Sequence, residues 1–173
     1  DLAGKGAKVK VLTFLNPAGM DLENWETLKF PKEFAKNQLR IMDAFKSMGI
    51  VITATCTPYL AGNLPRFREH IAWSESSAIS FSNSVIGART NREAAINTVY
   101  CAYTGCLPKY GTHLDEYRAA KVIIELTDEV RDNIKGMADW GALGAAIAEK
   151  AGNRIMAVLN LPKKMGPGAT KNL

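Results

Sequence analysis

The sequence lacks the features that mark membrane, secreted or disulfide-linked proteins. No apolar run approaches the ~20 residues that a membrane-spanning helix needs, and no charged segment followed by an apolar leader indicates secretion. The cysteines, Cys56, Cys101 and Cys106, are odd in number and fit no disulfide framework. These absences predict a reducing, cytoplasmic compartment, in which a cysteine is either a metal or cluster ligand or a small buried apolar residue.

The sequence also lacks the basic stripe that single-strand nucleic-acid binders use. Lys and Arg number 22 against 17 Asp and Glu, a net charge of +5. The basic residues are scattered, however, and the aromatic residues, 8% of the chain, are not interleaved with them. The charge excess therefore indicates either an ordinary solvated surface or a site for a small anionic substrate.

Length and composition are those of one globular domain. The 173 residues suffice for a sizeable core, and 47% hydrophobic with 23% charged residues is usual for a folded protein. The chain does not begin with methionine, and its opening, DLAGKGAKVKV, is typical of the interior of a longer protein. We expect residues 1–173 to be part of a single catalytic domain that is truncated at both ends.

Hydrophobic periodicity predicts an α/β fold built from a parallel sheet. Residues 8–15 predict a strand, residues 31–49 an amphipathic helix and residues 50–55 a second, buried strand. A strand, helix and strand in this order form a parallel βαβ unit. The apolar side chains of the helix share one face: Phe34, Ile41, Met42, Phe45 and Met48. Strands at 121–126 and 154–159 and helices at 71–86, 92–104 and 137–151 complete a sheet with helices on both faces.

Chemically informative side chains concentrate in the polar stretch of residues 56–93. Cys56 follows a predicted parallel strand, and α/β sheets place their sites at this carboxyl edge. A cysteine nucleophile would need an activating imidazole. His70 and His113 are available, but nothing in their spacing pairs them, and His113 is more typical of a structural histidine. The cysteine and histidine spacings only weakly indicate a structural zinc site.

Two arginines in the same stretch indicate an anion site. Arg89 and Arg92 lie in a loop that begins with glycine, and guanidinium groups recognise carboxylate and phosphate with two parallel hydrogen bonds. Glu93 offers the alternative of a structural salt bridge with either arginine. The serines of residues 74–77 either bind an anion or cap a helix. The residues alone thus predict an anion-binding α/β site with a cysteine at a strand end, and they name no reaction.

Several motifs resemble those of the aconitase X family. The central motifs are CTPYLAGNLPRF, EHIAWSESSA and NSVIGARTNRE, and the segments LNPAGMDLENW, YGTHLDEYR and ADWGALG are similar to the same family. They match in the family's order from residue 1 to about residue 161. By this resemblance, the chain is identified as an internal fragment of the family's large subunit or catalytic domain, with an aconitase-superfamily-like fold.

The resemblance implies an iron–sulfur or iron-dependent hydro-lyase, a dehydratase of a small hydroxy acid. Known members dehydrate mevalonate 5-phosphate or cis-3-hydroxy-L-proline, and the NPAGMD and CTPYL forms slightly favour the first. Iron acts as a Lewis acid on the departing hydroxyl, and a base removes the neighbouring proton. By superfamily analogy the base is a serine on a small swivelling subunit or domain. We therefore expect that partner, and neither a nucleic acid nor a membrane.

The family motifs also imply roles for individual residues. Cys56 is the expected ligand of the iron–sulfur cluster or mononuclear iron, with further ligands beyond Leu173. His70 and Glu75 are the expected catalytic residues. The expected substrate-binding residues are Ser76, Ser77, Asn83, Arg89, Thr90, Asn91 and Arg92.

Three positions depart from the family pattern. Arg68 stands where the family often has glycine before the Glu-His pair, and Ala94 and Ala95 stand where it often has two glycines. Replacing glycine is harmful where the backbone needs a positive φ or approaches a ligand closely. The alternative interpretation is therefore a non-catalytic or incomplete relative that keeps the fold and binds an anion.

Overall fold

The fold combines helices with short parallel strand pairings. The computed structural model describes residues 1–166 and residue 169. Its regular elements are α1 (Lys32–Ser47), α2 (Ser76–Phe81), α3 (Ala95–Thr104), β1 (Val122–Glu125), α4 (Asp128–Asn133), α5 (Met137–Ala151) and β2 (Met156–Leu159). A π-helical turn at Ser82–Ile86 directly follows α2. The architecture confirms the predicted α/β class with a parallel sheet.

The carboxyl-terminal half is the βαβ unit that the sequence predicts. β1 and β2 pair in parallel, from Val122 opposite Met156 to Glu125 opposite Leu159. Both strands lie inside their predicted ranges, and α5 between them has the predicted bounds. A parallel pair needs a long crossover connection, and α5 supplies it.

The connection after β1 contains a short helix that the sequence analysis did not predict. α4 begins where Thr127 Oγ1 accepts a hydrogen bond from the amide of Val130 at 3.3 Å. Asn160, which follows β2, donates from Nδ2 to the carbonyl of Leu126 at 2.8 Å. The ends of both strands are therefore joined by a side chain as well as by the ladder.

The amino-terminal strands are reduced to a single parallel bridge. Phe14 pairs with Val51, whose carbonyl accepts a hydrogen bond from the amide of Leu15 at 2.9 Å. α1 connects the two segments, as predicted. The prediction of regular strands over residues 8–15 and 50–55 is nevertheless wrong. No other strand of the described chain pairs with this bridge, and two isolated strands have little stability of their own.

Two predicted helices begin later than the hydrophobic spacing indicates. The helix predicted over residues 71–86 begins only with α2, and the helix predicted over 92–104 begins only with α3. The residues before each helix are extended because their backbones pair with each other, with Trp73 opposite Arg92. Helical spacing cannot reveal such pairing between separate segments. The helical prediction for these leading residues is therefore wrong.

The apolar face of α1 is only partly covered by the described residues. Met42 and Met48 are buried and Phe45 is half-buried, whereas Phe34 and Ile41 are exposed. A predicted core face thus faces an open surface along part of its length.

The hydrophobic core includes side chains from four helices. Its buried side chains include Ala35 and Met42 of α1, Ala78 and Phe81 of α2, Ala102 of α3, and Trp140, Ile147 and Ala151 of α5. In the part of the chain that the structure describes, no helix has the length and apolar character to cross a membrane.

Truncating Ile147 is expected to destabilise the fold strongly. Ile147 is 2% exposed, so Ile147→Ala leaves a cavity and lowers the free energy of unfolding by about 2–5 kcal/mol. The matched control Glu149→Ala, on the exposed side of the same helix, changes it by about 0.5 kcal/mol or less. Urea unfolding of the full-length protein measures both, and equal effects would contradict the assigned packing of α5.

Candidate active site

The candidate site is built on two loops, around residues 70–73 and 89–92, that run side by side in parallel. His70 pairs with Arg89, and Trp73 pairs with Arg92. The amide of Ile71 donates to the carbonyl of Arg89 at 3.0 Å. The pairing therefore brings the predicted catalytic histidine beside the predicted substrate-binding loop.

The guanidinium of Arg89 is buried and connects a third loop, residues 110–118, to this pair of loops. Arg89 is 7% exposed. Its Nη1 donates to the carbonyl oxygen of His113 at 2.8 Å, and its Nη2 forms an ion pair with Asp115. The hydrogen bond from Arg89 is the main reason why the pKa of Asp115 lies below its ordinary value. Arg89 is thus engaged with the protein, whereas Arg92 is exposed, so the two do not form one fork.

The same contacts bring two histidines together. Nδ1 of His70 lies 3.0 Å from Nδ1 of His113, and the rings stack with centroids 5.2 Å apart. His113 is 3% exposed, and its Nε2 has no hydrogen-bond partner among the described residues. His70 is exposed. Burial, and next the neighbouring His70, lower the pKa of His113.

Thr90 and Asn91 hold the backbone of the third loop. Asn91 accepts a hydrogen bond at Oδ1 from the amide of Thr112 at 2.8 Å and donates from Nδ2 to the carbonyl of Tyr110 at 3.1 Å. The hydroxyl of Thr112 donates to the carbonyl of Thr90 at 2.6 Å. Gly111 between them has a φ of +59°, and a Cβ there would collide with Asn91 Oδ1. The two predicted substrate-binding residues are therefore buried in loop contacts.

Asn83 connects the π-helical turn to the loop that contains Thr90 and to the third loop. Its Nδ2 donates to the carbonyls of Ile79 at 3.0 Å and Thr90 at 2.8 Å. Its Oδ1 accepts a hydrogen bond from Nη1 of Arg118 at 2.9 Å, and the same Nη1 lies 3.1 Å from the carbonyl of Thr112. The predicted substrate-binding role of Asn83 stays a prediction, and its observed contacts are structural.

A cavity of about 870 Å³ opens beside His70. Glu75 and Ser74 lie on its wall together with His70, and Asn16 donates from Nδ2 to Ser74 Oγ at 2.8 Å. The rest of the lining is largely apolar and includes Ile41, Phe45, Val99, Cys101 and Cys106. Apolar walls with a few polar groups are typical of small-molecule sites. The two predicted catalytic residues thus line one cavity.

The serines that begin α2 do not cap it. The N-cap position is Glu75, which makes no side-chain capping bond, so the alternative of Ser74 or Ser76 as the cap is wrong. Ser76 is exposed and Ser77 is half-buried. Their expected contacts with substrate stay predictions.

Glu93 is buried but pairs with neither arginine. It is 4% exposed, and its Oε1 has no hydrogen-bond partner within the described part of the chain. The alternative of a structural salt bridge from Glu93 is therefore wrong, since Arg89 pairs with Asp115 instead. Burial, followed by Glu93, raises the pKa of Cys101, so this thiol is protonated near neutral pH.

Cys56 lies on the surface in a bend after the amino-terminal bridge. Its thiol is free and exposed, and Ala54 before it has a φ of +46°, which residues other than glycine rarely adopt. The amide of Thr57 donates to Thr55 Oγ1 at 3.1 Å and tightens the bend. Among the side chains that the structure describes, no group of three or more His, Cys, Asp or Glu is placed to hold a metal ion. A thiolate suits an iron–sulfur cluster, so Cys56 fits as one ligand only.

The structure separates the three departures from the family pattern into two kinds. Arg68 has a φ of +65°, the left-handed conformation that favours glycine, and its guanidinium lies 3.4 Å from Asp115. Ala94 has a φ of −65°, which alanine adopts without strain, and Ala95 begins α3. Only the Arg68 departure therefore places a side chain where the backbone itself favours glycine.

Sequence reasoning missed most of the third loop. No sequence pattern singles out Thr112, Asp115 or Arg118, and the sequence indicates a structural role for His113. The YGTHLDEYR motif marks this loop by resemblance, but no spacing connects it to the stretch around His70. Only tertiary contacts reveal that the two belong to one site.

The chain is an α/β protein with a cavity of about 870 Å³, a size typical of small-molecule sites. The chain belongs to the aconitase X family, because the family's first domain, described as "Aconitase X first domain", matches residues 1–116. This match confirms the resemblance that the motifs indicate.

Individual relatives agree with the family assignment. The chain is 52% identical to the phosphomevalonate dehydratase large subunit of Methanocaldococcus jannaschii, over 94% of this chain and 41% of that protein. It is 42% identical to the cis-3-hydroxy-L-proline dehydratase of Pseudomonas aeruginosa, over 71% of this chain and 21% of that protein. The crystal structure of Thermococcus kodakaraensis aconitase X in its holo form has a TM-score of 0.82 at 41% identity, covering 98% of this chain and 41% of the other. The chain thus spans at most about two fifths of these relatives.

A side chain at Gly111 is expected to disrupt the third loop. Gly111→Ala puts a Cβ against Asn91 in a left-handed conformation and lowers the free energy of unfolding by more than about 1 kcal/mol. The control Gly141→Ala lies inside α5 with no atom within 4 Å of the new Cβ, and it raises the free energy by about 0.5–1 kcal/mol. Urea unfolding of the full-length protein compares them, and a neutral Gly111→Ala would contradict the described loop.

The buried histidine is expected to make stability depend on pH. The pKa of His113 is lowered in the folded state, so the unfolded chain binds a proton at a higher pH than the folded chain does. The destabilisation caused by burying His113 is absent above the unfolded pKa of about 6.5. It grows as the pH falls from there towards the folded pKa. Unfolding free energies measured between pH 8 and 5, about the ordinary histidine range, should fall on acidification, and His113→Asn should reduce that slope. An identical slope in the variant would contradict the assignment.

Proposed function

We propose that the chain is part of the large subunit of an iron-dependent hydro-lyase that dehydrates a small hydroxy acid. The supporting observation is the cavity beside His70, which His70 and Glu75 line together, in a family whose relatives are named dehydratases. Mevalonate 5-phosphate is the preferred substrate. The relative named for that substrate is more similar and matches more of this chain than the one named for hydroxyproline.

The chain's own residues would bind and orient the substrate. Arg92 is exposed and makes no salt bridge among the described residues, so its guanidinium is available to a phosphate or carboxylate. The hydroxyls of Ser76 and Ser77 would add hydrogen bonds. Arg89, Thr90, Asn91 and Asn83 would act by holding the loops in register, since most of their polar groups already have protein partners.

His70 and Glu75 would carry out the proton transfers, since both line the cavity. A general acid or base must lie within hydrogen-bond reach of the proton that it transfers. A further proton carrier would be a serine on a small partner. The designation of a relative as a large subunit supports such a partner. Cys56 would hold iron as one ligand among others from outside this chain. When bound, iron supplies Lewis-acid assistance to the departing hydroxyl.

The proposal predicts that iron retention depends on Cys56. The full-length protein is expressed without oxygen together with its small partner, and its iron and acid-labile sulfide are measured. Cys56→Ser should lose most of both, because a thiolate ligand is removed. The matched control Cys106→Ser changes another exposed thiol and should retain them. Equal contents in the two variants, or no iron in the wild type, would overturn the cofactor assignment.

Turnover of the same preparation separates the proposal from its rival. Iron-loaded protein should dehydrate mevalonate 5-phosphate faster than cis-3-hydroxy-L-proline. Binding of either compound without turnover, with iron and partner both present, would instead favour a non-catalytic relative that binds anions. Arg68 in its left-handed conformation is the observation that favours this rival.

A further inference from the structure

The two histidines must share a single proton along the line between them. Their Nδ1 atoms are 3.0 Å apart, a hydrogen-bond distance. Two protons in that gap would repel each other, and two lone pairs would do the same. In the neutral pair, therefore, one Nδ1 carries a proton and donates it, and the other accepts it.

The surroundings of His113 decide which ring donates. His113 Nε2 is sealed from water without a partner among the described residues, whereas His70 is exposed and its side chain is open to water. If His113 accepted at Nδ1, its proton would sit on Nε2 as a buried donor with no acceptor, and such orphaned N–H groups are rare. If His113 donates from Nδ1, only a lone pair is left without a partner, and this is the less unfavourable arrangement.

The charges around His113 are compatible with a neutral ring. Its nearest charged neighbours are Glu93, Arg89 and Arg118, and the carboxylate of Glu93 opposes the two guanidiniums. Arg89 also holds the carbonyl of His113 at 2.8 Å while its backbone pairs with His70. The relative position of the rings is therefore set by one buried residue rather than by two flexible side chains.

The geometry points to His113 as a positioning residue that donates its Nδ1–H to Nδ1 of His70 and so holds His70 in the Nε2–H tautomer. His70, which lines the cavity, then offers an N–H donor there. A bound hydroxy acid would meet this donor at a carboxylate, phosphate or hydroxyl oxygen. His70 can become an imidazolium only if the proton between the rings is rearranged, so the pair disfavours His70 as a simple base. The catalytic consequence rests on the proposed dehydratase function, whereas the tautomer assignment does not.

Nitrogen NMR of the full-length protein with ¹⁵N-labelled histidine tests the assignment directly. The His70→Gln and His113→Gln variants identify the two sets of resonances. We expect His113 to carry its proton on Nδ1, the minor tautomer of free histidine in water. We also expect a coupling across the hydrogen bond to the unprotonated Nδ1 of His70. A proton on Nε2 of His113, or protons on both Nδ1 atoms, would overturn the inference.

A pair of variants of similar shape tests the causal role of His113. His113→Asn keeps an N–H donor near the position of Nδ1, so His70 should remain the Nε2–H tautomer. His113→Asp offers only an acceptor, so the proton of His70 should move to Nδ1. An unchanged His70 tautomer in folded His113→Asp would contradict the role. If that variant does not fold, the wild-type coupling decides alone.

Activity adds a second readout that a purely structural role would not move. His113→Asp should lower kcat by about 10-fold to 100-fold, the range for groups that orient an imidazole at metal sites, with KM little changed, and His113→Asn should recover most of the loss. Equal losses in both variants would contradict a positioning role. Absence of turnover in the wild type would refute the dehydratase proposal and leave the NMR result standing.

Discussion

The buried guanidinium of Arg89 is the contact on which the site depends. Its backbone pairs with His70, and its side chain binds both the carbonyl of His113 and the carboxylate of Asp115. A buried guanidinium without partners would be strongly unfavourable, so these bonds must form together. One residue thereby joins the first two loops to the third. Removing it would release the loops and expose the histidine pair to water.

The neighbouring polar residues add further hydrogen bonds between the same loops. Asn91 holds the backbone on either side of Gly111, and Asn83 with Arg118 closes the loop from the opposite side. Most residues that the family motifs mark as polar site residues are therefore already engaged with the protein. Arg92 and Ser76 are exposed and Ser77 is half-buried, and these are the groups proposed to contact a ligand. Some residues of this short stretch hold the loops together, and others are proposed to contact the ligand.

Sequence patterns predicted the fold best where structure is local. α1 and α5, with their long apolar repeats, and β1 and β2, with short apolar runs, lie where periodicity indicates. The residues before α2 and α3 carry helical spacing yet are extended, because the segments around Trp73 and Arg92 pair with each other. The segments around Phe14 and Val51 are too sparsely paired for regular strands. In each case a contact between distant residues outweighed local preference.

The sequence by itself determined the family, the α/β class and the position of the polar stretch, because motifs and periodicity are properties of consecutive residues. It placed His70 and Glu75 in that stretch, and both line the cavity. Only the tertiary structure decided that His113 faces His70 at 3.0 Å and that Arg89 binds Asp115 rather than Glu93. It also decided that Cys56 belongs to no group of three or more potential metal ligands among the described residues. These outcomes depend on which loops meet in space and on which groups are sealed from water. The spacing of residues along the chain predicts neither property.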